Sequence, residues 1–418
     1  MEIFVDERPA ARYGDVRVTA LALALALIAV GCSAGISAPP RWQGIHCDAA
    51  LGSPAAAGDD LRVSRDSWKT DFSRHCVPLS EIASGGPPRD AITPLDAPGF
   101  VGAGEAAAWL EPQEPVIVVA DGALARAYPL QILIWHEIAN DTIGGRPIVV
   151  TFCPLCNTSL VFDRRVGGRE LTFGTTGNLR LSDLVMWDRQ SESWWQQATG
   201  EAIVGDLTGS RLERIRSSVL SFGTFRSAHP EGQVLSRDAA NTEMDRKGSA
   251  RRAYGANPYI GYDRTDSSPI SAFWGDRPID ARLHPKTRVA VATFASPPVA
   301  YVLDDLKMPT ALNDTIAGRR IVLLFAPGVS SPLDRETTAA GTDIGQATMF
   351  DASVDGRALT LHPAGPAFTD EETGSSWSIT GVATAGRLAG TRLRAVDHDV
   401  TFWFIWSVFR PDTEIRRR

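Results

Sequence analysis

The spacing of hydrophobic residues changes twice along this chain. Residues 18–30 are continuously apolar, and residues 40–105 are rich in Pro, Ala, Gly and Ser. From about residue 113, short β-branched runs such as PVIVVADG, RPIVVTF and SLVFDR alternate with Gly, Asp and Asn. Runs of this length and composition are typical of strands. The pattern predicts a β-rich α+β fold, mainly antiparallel with short helices, preceded by an irregular N-terminal arm.

One segment has helical rather than strand spacing. Residues 128–138 (YPLQILIWHEI) repeat apolar side chains every three or four positions, and Pro129 suits a first helical turn. We therefore expect one helix here, within the β-rich region.

Two stretches of the chain share a series of motifs. AYPL (127–130) and NDTIGG (140–145) return as AYVL and NDTIAG at a constant offset of 173 residues, and two later blocks also match. Such self-similarity indicates a duplicated unit. We predict a first repeat unit at 113–240, a polar and exposed connecting segment at 241–284, and a second repeat unit at 285–412.

The N-terminal pattern predicts export. The apolar run at 18–30 is shorter than the roughly 20 residues of a membrane-spanning helix but suits a signal peptide. It ends at Cys32 in a sequence similar to a bacterial lipobox. We therefore expect a lipoprotein signal peptide at 1–31, a lipidated Cys32, and a tether with an irregular arm at 32–112. The alternative is an ordinary signal peptide beside an unrelated cysteine.

An extracytoplasmic, membrane-anchored lipoprotein can form disulfides. Cys47 and Cys76 both lie in the irregular arm and are candidates for one bridge. Closing a loop of this length would contribute about 3–4 kcal/mol on the chain-entropy model.

The overall composition excludes several classes of protein. The 418 residues are 44% hydrophobic and 22% charged, with a formal net charge of −7. These values are typical of a globular protein with a substantial core and not of a disordered chain or a multi-pass membrane protein. Without a basic excess, no nucleic-acid partner is expected.

The candidate chemistry is a C-x-x-C motif, Cys153-Pro-Leu-Cys156, which follows a predicted strand. At the same offset of 173, the second unit has FAPGVS (325–330), without either cysteine. The fold therefore does not require the thiols, which favours a function for them. A C-x-x-C pair can cycle between dithiol and disulfide or bind a soft metal. A simple structural disulfide and half of a zinc site are the alternatives.

Several nearby side chains could assist the cysteine pair. His136 is a candidate proton shuttle or metal ligand, although a histidine that only completes its helix is equally compatible with the sequence. Glu137 is a weaker candidate, because adjacent helical residues point about 100° apart. Asn157 and Thr158 could donate hydrogen bonds to a thiolate or simply form a turn. Met186 could complete a copper site, or pack in the core.

The sequence also resembles a known family. The run AYPLQILIWHEIANDTIGGRPIVVTFCPLCNTSLVFDR and the later block MWDRQSESWWQQATGEAIVG are similar to proteins of the DUF3179 family, over about residues 113–412. Some members carry selenocysteine in the C-x-x-C motif. The resemblance therefore implies redox chemistry at Cys153 and Cys156.

Three hypotheses follow. The first is a lipid-anchored thiol–disulfide oxidoreductase, with Cys153 as nucleophile, Cys156 as resolving thiol, and an unknown thiol or electron-transfer partner. The second is a copper or other soft-metal protein that uses both cysteines with His136 or Met186. The third is a non-catalytic envelope interaction module in which the disulfide is structural.

Overall fold

The computed structural model describes Cys47, residues 61–122 and residues 124–417. The predicted signal peptide and Cys32 lie outside the described residues. The described residues belong to one compact unit. Among them, no helix is both long and apolar enough to cross a membrane.

The strands before residue 240 are short and mostly buried. They are β1 (Ile82–Ser84), β2 (Phe100–Gly102), β3 (Pro115–Asp121), β4 (Leu124–Pro129), β5 (Ile138–Ile143), β6 (Arg146–Cys153), β7 (Thr158–Asp163), β8 (Arg165–Val166), β9 (Arg169–Glu170), β10 (Phe173–Arg180), β11 (Asp183–Asp188), β12 (Trp194–Gln196), β13 (Glu201–Val204), β14 (Arg214–Ile215), β15 (Ser218–Ser221) and β16 (Gln233–Leu235).

The strands after residue 285 are similar in length. They are β17 (Arg288–Ala292), β18 (Val299–Val302), β19 (Thr310–Ile316), β20 (Arg319–Ala326), β21 (Gln346–Asp351), β22 (Ser353–Val354), β23 (Arg357–Ala358), β24 (Leu361–Ala364), β25 (Ala367–Asp370), β26 (Ser376–Trp377), β27 (Ala383–Ala385), β28 (His398–Phe402) and β29 (Glu414–Arg416).

The helices are short. They are α1 (Ala103–Ala106), α2 (Leu130–His136), α3 (Phe222–Ala228), α4 (Arg237–Arg246), α5 (Ser271–Trp274) and α6 (Trp403–Phe409), with 3-10 turns at Leu79–Glu81 and Thr338–Ala340. The predicted β-rich class with short helices is confirmed.

Three larger sheets form before residue 240 and three after residue 285. The first three have the strand orders β1-β10-β11-β12-β13, β14-β7-β6-β5 and β15-β3-β4-β16-β2. The later three have the orders β24-β25-β26-β27, β19-β20-β21 and β28-β17-β18-β29. Strand pairing in these sheets is antiparallel except for β4 with β16 and β18 with β29.

Matching hydrogen bonds also occur in the two sets of sheets. Tyr128 donates its hydroxyl hydrogen to Asp141 at 2.5 Å, and Tyr301 donates to Asp314 at 2.6 Å. Each tyrosine lies on the strand that receives the parallel neighbour. The same local arrangement therefore occurs twice in the chain.

The predicted helix at 128–138 is shorter than expected. Tyr128 and Pro129 end β4, because Pro129 has an extended backbone (ψ 132°), and α2 begins at Leu130. Glu137 adopts a left-handed conformation (φ 57°), which ends the helix and lets β5 begin at Ile138.

Two expected loop regions contribute to the core. In the N-terminal arm, β1 and β2 pair with β10 and β16. Most residues of the connecting segment are exposed or half-buried, and a minority, among them Tyr254 and Asp263, are buried. Tyr254 and Asp263 are buried because each has a distant partner, His136 for Tyr254 and Arg288 for Asp263.

Candidate functional site, a buried cysteine pair

The CPLC motif forms the turn of a β-hairpin. Cys153 is the last residue of β6 and pairs with Thr158, the first residue of β7. Asn157 closes the turn with a left-handed backbone (φ 51°), a conformation that asparagine tolerates better than most residues. The loop therefore leads directly into a strand and not into a helix of its own whose N-terminus could stabilise a thiolate.

The two sulfurs lie side by side in the interior. Cys153 is 1% exposed and Cys156 is fully buried, and their Sγ atoms are 2.6 Å apart. The single hydrogen of the Cys156 thiol has two possible acceptors, the Cys153 sulfur and the Oδ1 atom of Asp183, which lies 3.0 Å away. Burial raises the pKa of Cys153 and raises that of Cys156 well above its usual value.

Asp183 is the principal polar partner of the pair. It begins β11, and its second oxygen accepts hydrogen bonds from the Gln196 side chain and from the Ala198 backbone N–H. Burial raises the pKa of Asp183 to about 6, although these bonds and the Cys156 thiol oppose the shift. Asp183 can therefore exchange a proton near neutral pH.

A second buried carboxyl group belongs to Glu137. The left-handed backbone at this residue turns the chain out of α2, and its carbonyl accepts a hydrogen bond from the Phe152 N–H, next to Cys153. Burial, with the nearby charge of Asp183, raises the pKa of Glu137 to about 8. Ionised Glu137 in turn raises the pKa of Cys153.

His136, the expected shuttle or ligand, makes its hydrogen bonds to groups other than the cysteines. Its Nδ1 lies 2.7 Å from the Thr93 carbonyl and its Nε2 lies 2.7 Å from the Tyr254 hydroxyl. Both ring nitrogens are thus occupied. Burial lowers the pKa of His136 to about 4, so the ring is neutral and serves to hold two segments together.

The remaining candidate residues, Thr158, Asn157 and Met186, make different contacts around the cysteine pair. The Thr158 hydroxyl lies 3.4 Å from the Cys156 sulfur and donates more closely to Gln197, at 2.7 Å. Asn157 serves as the turn residue described above. Met186 is fully buried in the apolar cluster that also contains both cysteines, and it pairs in register with Trp195.

A chain of buried polar groups leads away from the cysteine pair. Gln196, which donates to Asp183, also accepts a hydrogen bond from the Arg180 guanidinium at 3.1 Å. Arg180 is fully buried and forms an ion pair with Glu81 at 2.7 Å. The polar connection from Cys156 therefore extends through two side chains, Asp183 and Gln196, to an arginine–glutamate pair.

Residues 254–274, which we call the covering segment, lie over the hairpin. The Tyr262 hydroxyl donates to the Leu155 carbonyl within the CPLC turn, at 2.9 Å. Tyr259, Tyr262 and Phe273 pack against the apolar cluster that contains the cysteines. In this conformation the sulfurs are closed to a large partner.

The metal-ligating groups of the site differ from the expected set. The sulfurs of Cys153 and Cys156 and a carboxylate oxygen of Asp183 all lie within 4.8 Å of one another. A soft cation would find two thiolates and one carboxylate here. Asp183 thus takes the place that the sequence suggested for His136.

A disulfide joins Cys47 to Cys76 across a sequence separation of 29. It lies beside β13, since the Cys76 N–H donates to the Ile203 carbonyl. The bridge closes a loop within the N-terminal arm, and the hydrogen bond of Cys76 connects the arm to the sheet that contains β11, on which Asp183 lies.

Asp183 and Gln196 are not among the sequence-predicted site residues, although the sequence carries a signal for Asp183. Asp188 and Trp195 match Asp370 and Trp377 at an offset of 182, and both tryptophans donate to the matching aspartate. The same offset places Gly365 opposite Asp183. Like the cysteines, this carboxylate has no counterpart in the second half.

Fold and site together define a β-rich protein with a buried dithiol next to two carboxylic acids. The chain belongs to the DUF3179 family, described as a protein of unknown function, whose model matches residues 89–413. No curated protein and no solved structure matches the chain.

Proposed function

We propose that this protein is a lipid-anchored, extracytoplasmic thiol–disulfide redox protein whose working couple is Cys153 and Cys156. The observation that carries the proposal is the 2.6 Å separation of the sulfurs, with the Cys156 thiol bonded to a carboxylate whose pKa is about 6. A dithiol needs such a proton acceptor to form its disulfide.

The roles of the two cysteines differ. The Cys156 thiol donates towards the Cys153 sulfur, an arrangement that favours negative charge on Cys153. Cys153 is therefore the nucleophile and Cys156 the resolving thiol. Asp183 is the base that accepts the Cys156 proton.

The reaction is written here for oxidation by a partner disulfide, R–S–S–R′. The Cys153 sulfur attacks one partner sulfur, R′S⁻ leaves, and the Cys153 proton converts it to R′SH. Cys156 then gives its proton to Asp183 and attacks the Cys153 sulfur, so the bond to the partner breaks. The departing RS⁻ takes the proton from Asp183, so one disulfide is reduced while two thiols are oxidised.

Access requires movement of the covering segment. Tyr262 and its bond to Leu155 must separate before a partner sulfur can approach Cys153. The closed conformation protects the couple between encounters.

The experiment equilibrates the purified full-length chain with glutathione buffers and measures the reduction potential of the pair. We expect a value above about −300 mV, and a trapped mixed disulfide at Cys153 when Cys156→Ser is treated with an aromatic disulfide. The matched control is Cys153→Ser, which should trap far less. A lower reduction potential together with no trapped mixed disulfide would refute the redox function and would favour the third hypothesis, a structural disulfide.

Soft-metal binding is the second candidate, favoured by the three ligand atoms within 4.8 Å. Two thiolates held about 2.3 Å from one tetrahedral zinc ion would be separated by about 3.7 Å. Both cysteines are free and their sulfurs are in contact at 2.6 Å, so they would have to separate to hold an ion in this way. Stoichiometric Cu(I) uptake that is lost in Asp183→Asn and kept in His136→Gln would favour the metal.

We also propose that the chain arose by duplication of one unit, with the redox site confined to the first copy. The shared strand orders, the two parallel pairings and the repeated Tyr–Asp and Trp–Asp hydrogen bonds support this interpretation. The second copy has Ala326 and Val329 in place of the cysteines.

A further inference from the structure

The turn that corresponds to CPLC in the second half is much longer than CPLC itself. Residues 154–157 join β6 to β7, whereas residues 327–345 join the corresponding strands β20 and β21. The sequence shows the same difference, because NDTIGG (140–145) matches at an offset of 173 and VGGRELT (166–172) matches at 188. The second half therefore carries 15 additional residues at this turn, the difference between the two offsets. We call residues 327–345 the long turn.

The covering segment lies along the long turn and pairs with its backbone. Hydrogen bonds of 2.9–3.1 Å run from the N–H groups of Asn257, Gly261, Tyr262 and Thr338 to the carbonyl groups of Glu336, Asp334, Leu333 and Gly255, respectively. The Asn257 side chain also donates to the Arg335 carbonyl, at 2.8 Å. Because these backbone groups satisfy one another, separating the two segments would leave them without partners until water replaced them. The long turn therefore holds the covering segment along its length.

A buried acid fastens the covering segment to the second half. Asp263 is 7% exposed and accepts hydrogen bonds from the Arg288 guanidinium and the Ser331 hydroxyl. Ser331 belongs to the long turn, and Arg288 begins β17. Removing one partner of a buried ion pair leaves an uncompensated charge, so this contact strongly favours the observed position of the covering segment.

The covering segment is attached less firmly to the hairpin that it covers. Besides the apolar packing of its aromatic rings, it reaches the CPLC turn through the Tyr262 hydroxyl, which donates to Leu155 at 2.9 Å. Beside the hairpin, the Ser182 N–H donates to the Phe273 carbonyl at 3.2 Å. Both bonds join neutral groups, and such bonds are weaker than hydrogen bonds to ions. The position of Tyr262 over the CPLC turn is thus set mainly from the second half.

From this geometry we infer that the second half of the chain regulates the redox site of the first half. Its long turn, together with Arg288, holds the covering segment over Cys153 and Cys156, and release of this hold admits a partner. This role rests on the proposed redox function, because access matters only if the two sulfurs react. The turn that corresponds to CPLC has no cysteine of its own and instead binds the segment that covers CPLC.

The test measures how fast iodoacetamide alkylates the reduced cysteines of the purified full-length chain, a rate that reports access and does not require redox activity. Asp263→Asn keeps the size of the side chain and removes the charge that faces Arg288. We expect alkylation at least tenfold faster than in the natural chain, a change of about 1.4 kcal/mol in the opening equilibrium. An unchanged rate in folded Asp263→Asn would overturn the inference.

Asp351→Asn is the matched control. Asp351, in β21, is also 7% exposed and also accepts hydrogen bonds from arginine and serine side chains, but it lies outside the covering segment and the long turn. Its alkylation rate should stay within about twofold of the natural rate, and an acceleration equal to that of Asp263→Asn would overturn the inference. If Asp263→Asn does not fold, Ser331→Ala decides, because it keeps the ion pair with Arg288 and should accelerate alkylation about threefold.

Hydrogen exchange followed by mass spectrometry locates the movement. The amides of residues 255–263 should exchange faster in Asp263→Asn than in the natural chain, whereas those of β6 and β7 should not change. Faster exchange throughout the chain would indicate global unfolding and would contradict a local opening. The redox function fails separately. A reduction potential below about −300 mV with no trapped mixed disulfide would refute that function, while faster alkylation in Asp263→Asn alone would still support the hold of the long turn on the covering segment.

Discussion

Replacement of Glu137 by Gln should leave the stability almost unchanged at low pH and should increasingly stabilise the chain as the pH rises. In the folded chain the pKa of Glu137 is raised from 4.5 to about 8. The folded state therefore binds this proton more tightly than the unfolded state, and the stability it contributes is complete below pH 4.5 and is lost as the pH rises to about 8. A glutamine at this position carries no such dependence.

The magnitude follows from the pKa difference. Each pH unit corresponds to about 1.4 kcal/mol, so the interval from 4.5 to about 8 sets an upper value of about 5 kcal/mol. Relaxation around the ionised carboxylate reduces this, and we expect about 3–5 kcal/mol. Glu137→Gln should have nearly the stability of the natural chain at pH 4.5 and exceed it by this amount at pH 8.5.

The assay is urea unfolding of both proteins, followed by tryptophan fluorescence, at intervals from pH 4.5 to 8.5. The difference between the two free energies of unfolding isolates Glu137, because His136 titrates in both. Its lowered pKa, about 4, makes the stability of both chains fall together as the pH drops below 6.5. A difference that stays constant within about 0.5 kcal/mol over this range would refute the buried, protonated state of Glu137.

Three further predictions concern the covering segment, His136 and the two matching hairpins. Tyr262→Phe removes the hydrogen bond to the Leu155 carbonyl, which is worth about 1 kcal/mol. Iodoacetamide should therefore alkylate the reduced cysteines about fivefold faster in this variant. An unchanged alkylation rate would show that this contact does not limit access to the cysteines. His136→Gln should lower the free energy of unfolding by about 2 kcal/mol and leave the reduction potential unchanged, whereas a shifted potential would return His136 to the redox site. Asp188→Asn and Asp370→Asn each weaken a buried tryptophan–aspartate hydrogen bond. Each variant should lower the free energy of unfolding in urea by a similar amount, about 1–3 kcal/mol. A large decrease for one variant alone would argue that the two hairpins are not equivalent.

The fold class could be predicted because strand signals in this chain are local. Buried β-branched runs became β3, β6 and β7 nearly as expected. The burial of a few residues of the connecting segment could not be predicted from its polar composition. Asp263 is buried because Arg288 and Ser331, distant in the sequence, supply its hydrogen bonds.

The sequence singled out both sulfurs and ranked Glu137 below His136, but it did not single out Asp183. Cys153 and Cys156 emerged because the second half lacks them, and the same comparison applies to Asp183. The choice of His136 over Glu137 rested on helical geometry, in which neighbours point about 100° apart. That rule does not hold at Glu137, because its left-handed backbone ends the helix and redirects the chain.

The protonation of the site constrains the chemistry it can support. Two thiols and two carboxyl groups lie together in the interior, and the ionised form of either acid raises the pKa of Cys153. Adding negative charge without a proton is therefore costly here. Reduction of the disulfide adds two electrons, so two protons must accompany them to keep the site neutral. The reduction potential should consequently fall as the pH rises across the neutral range, and a potential independent of pH would contradict this coupling of electrons to protons.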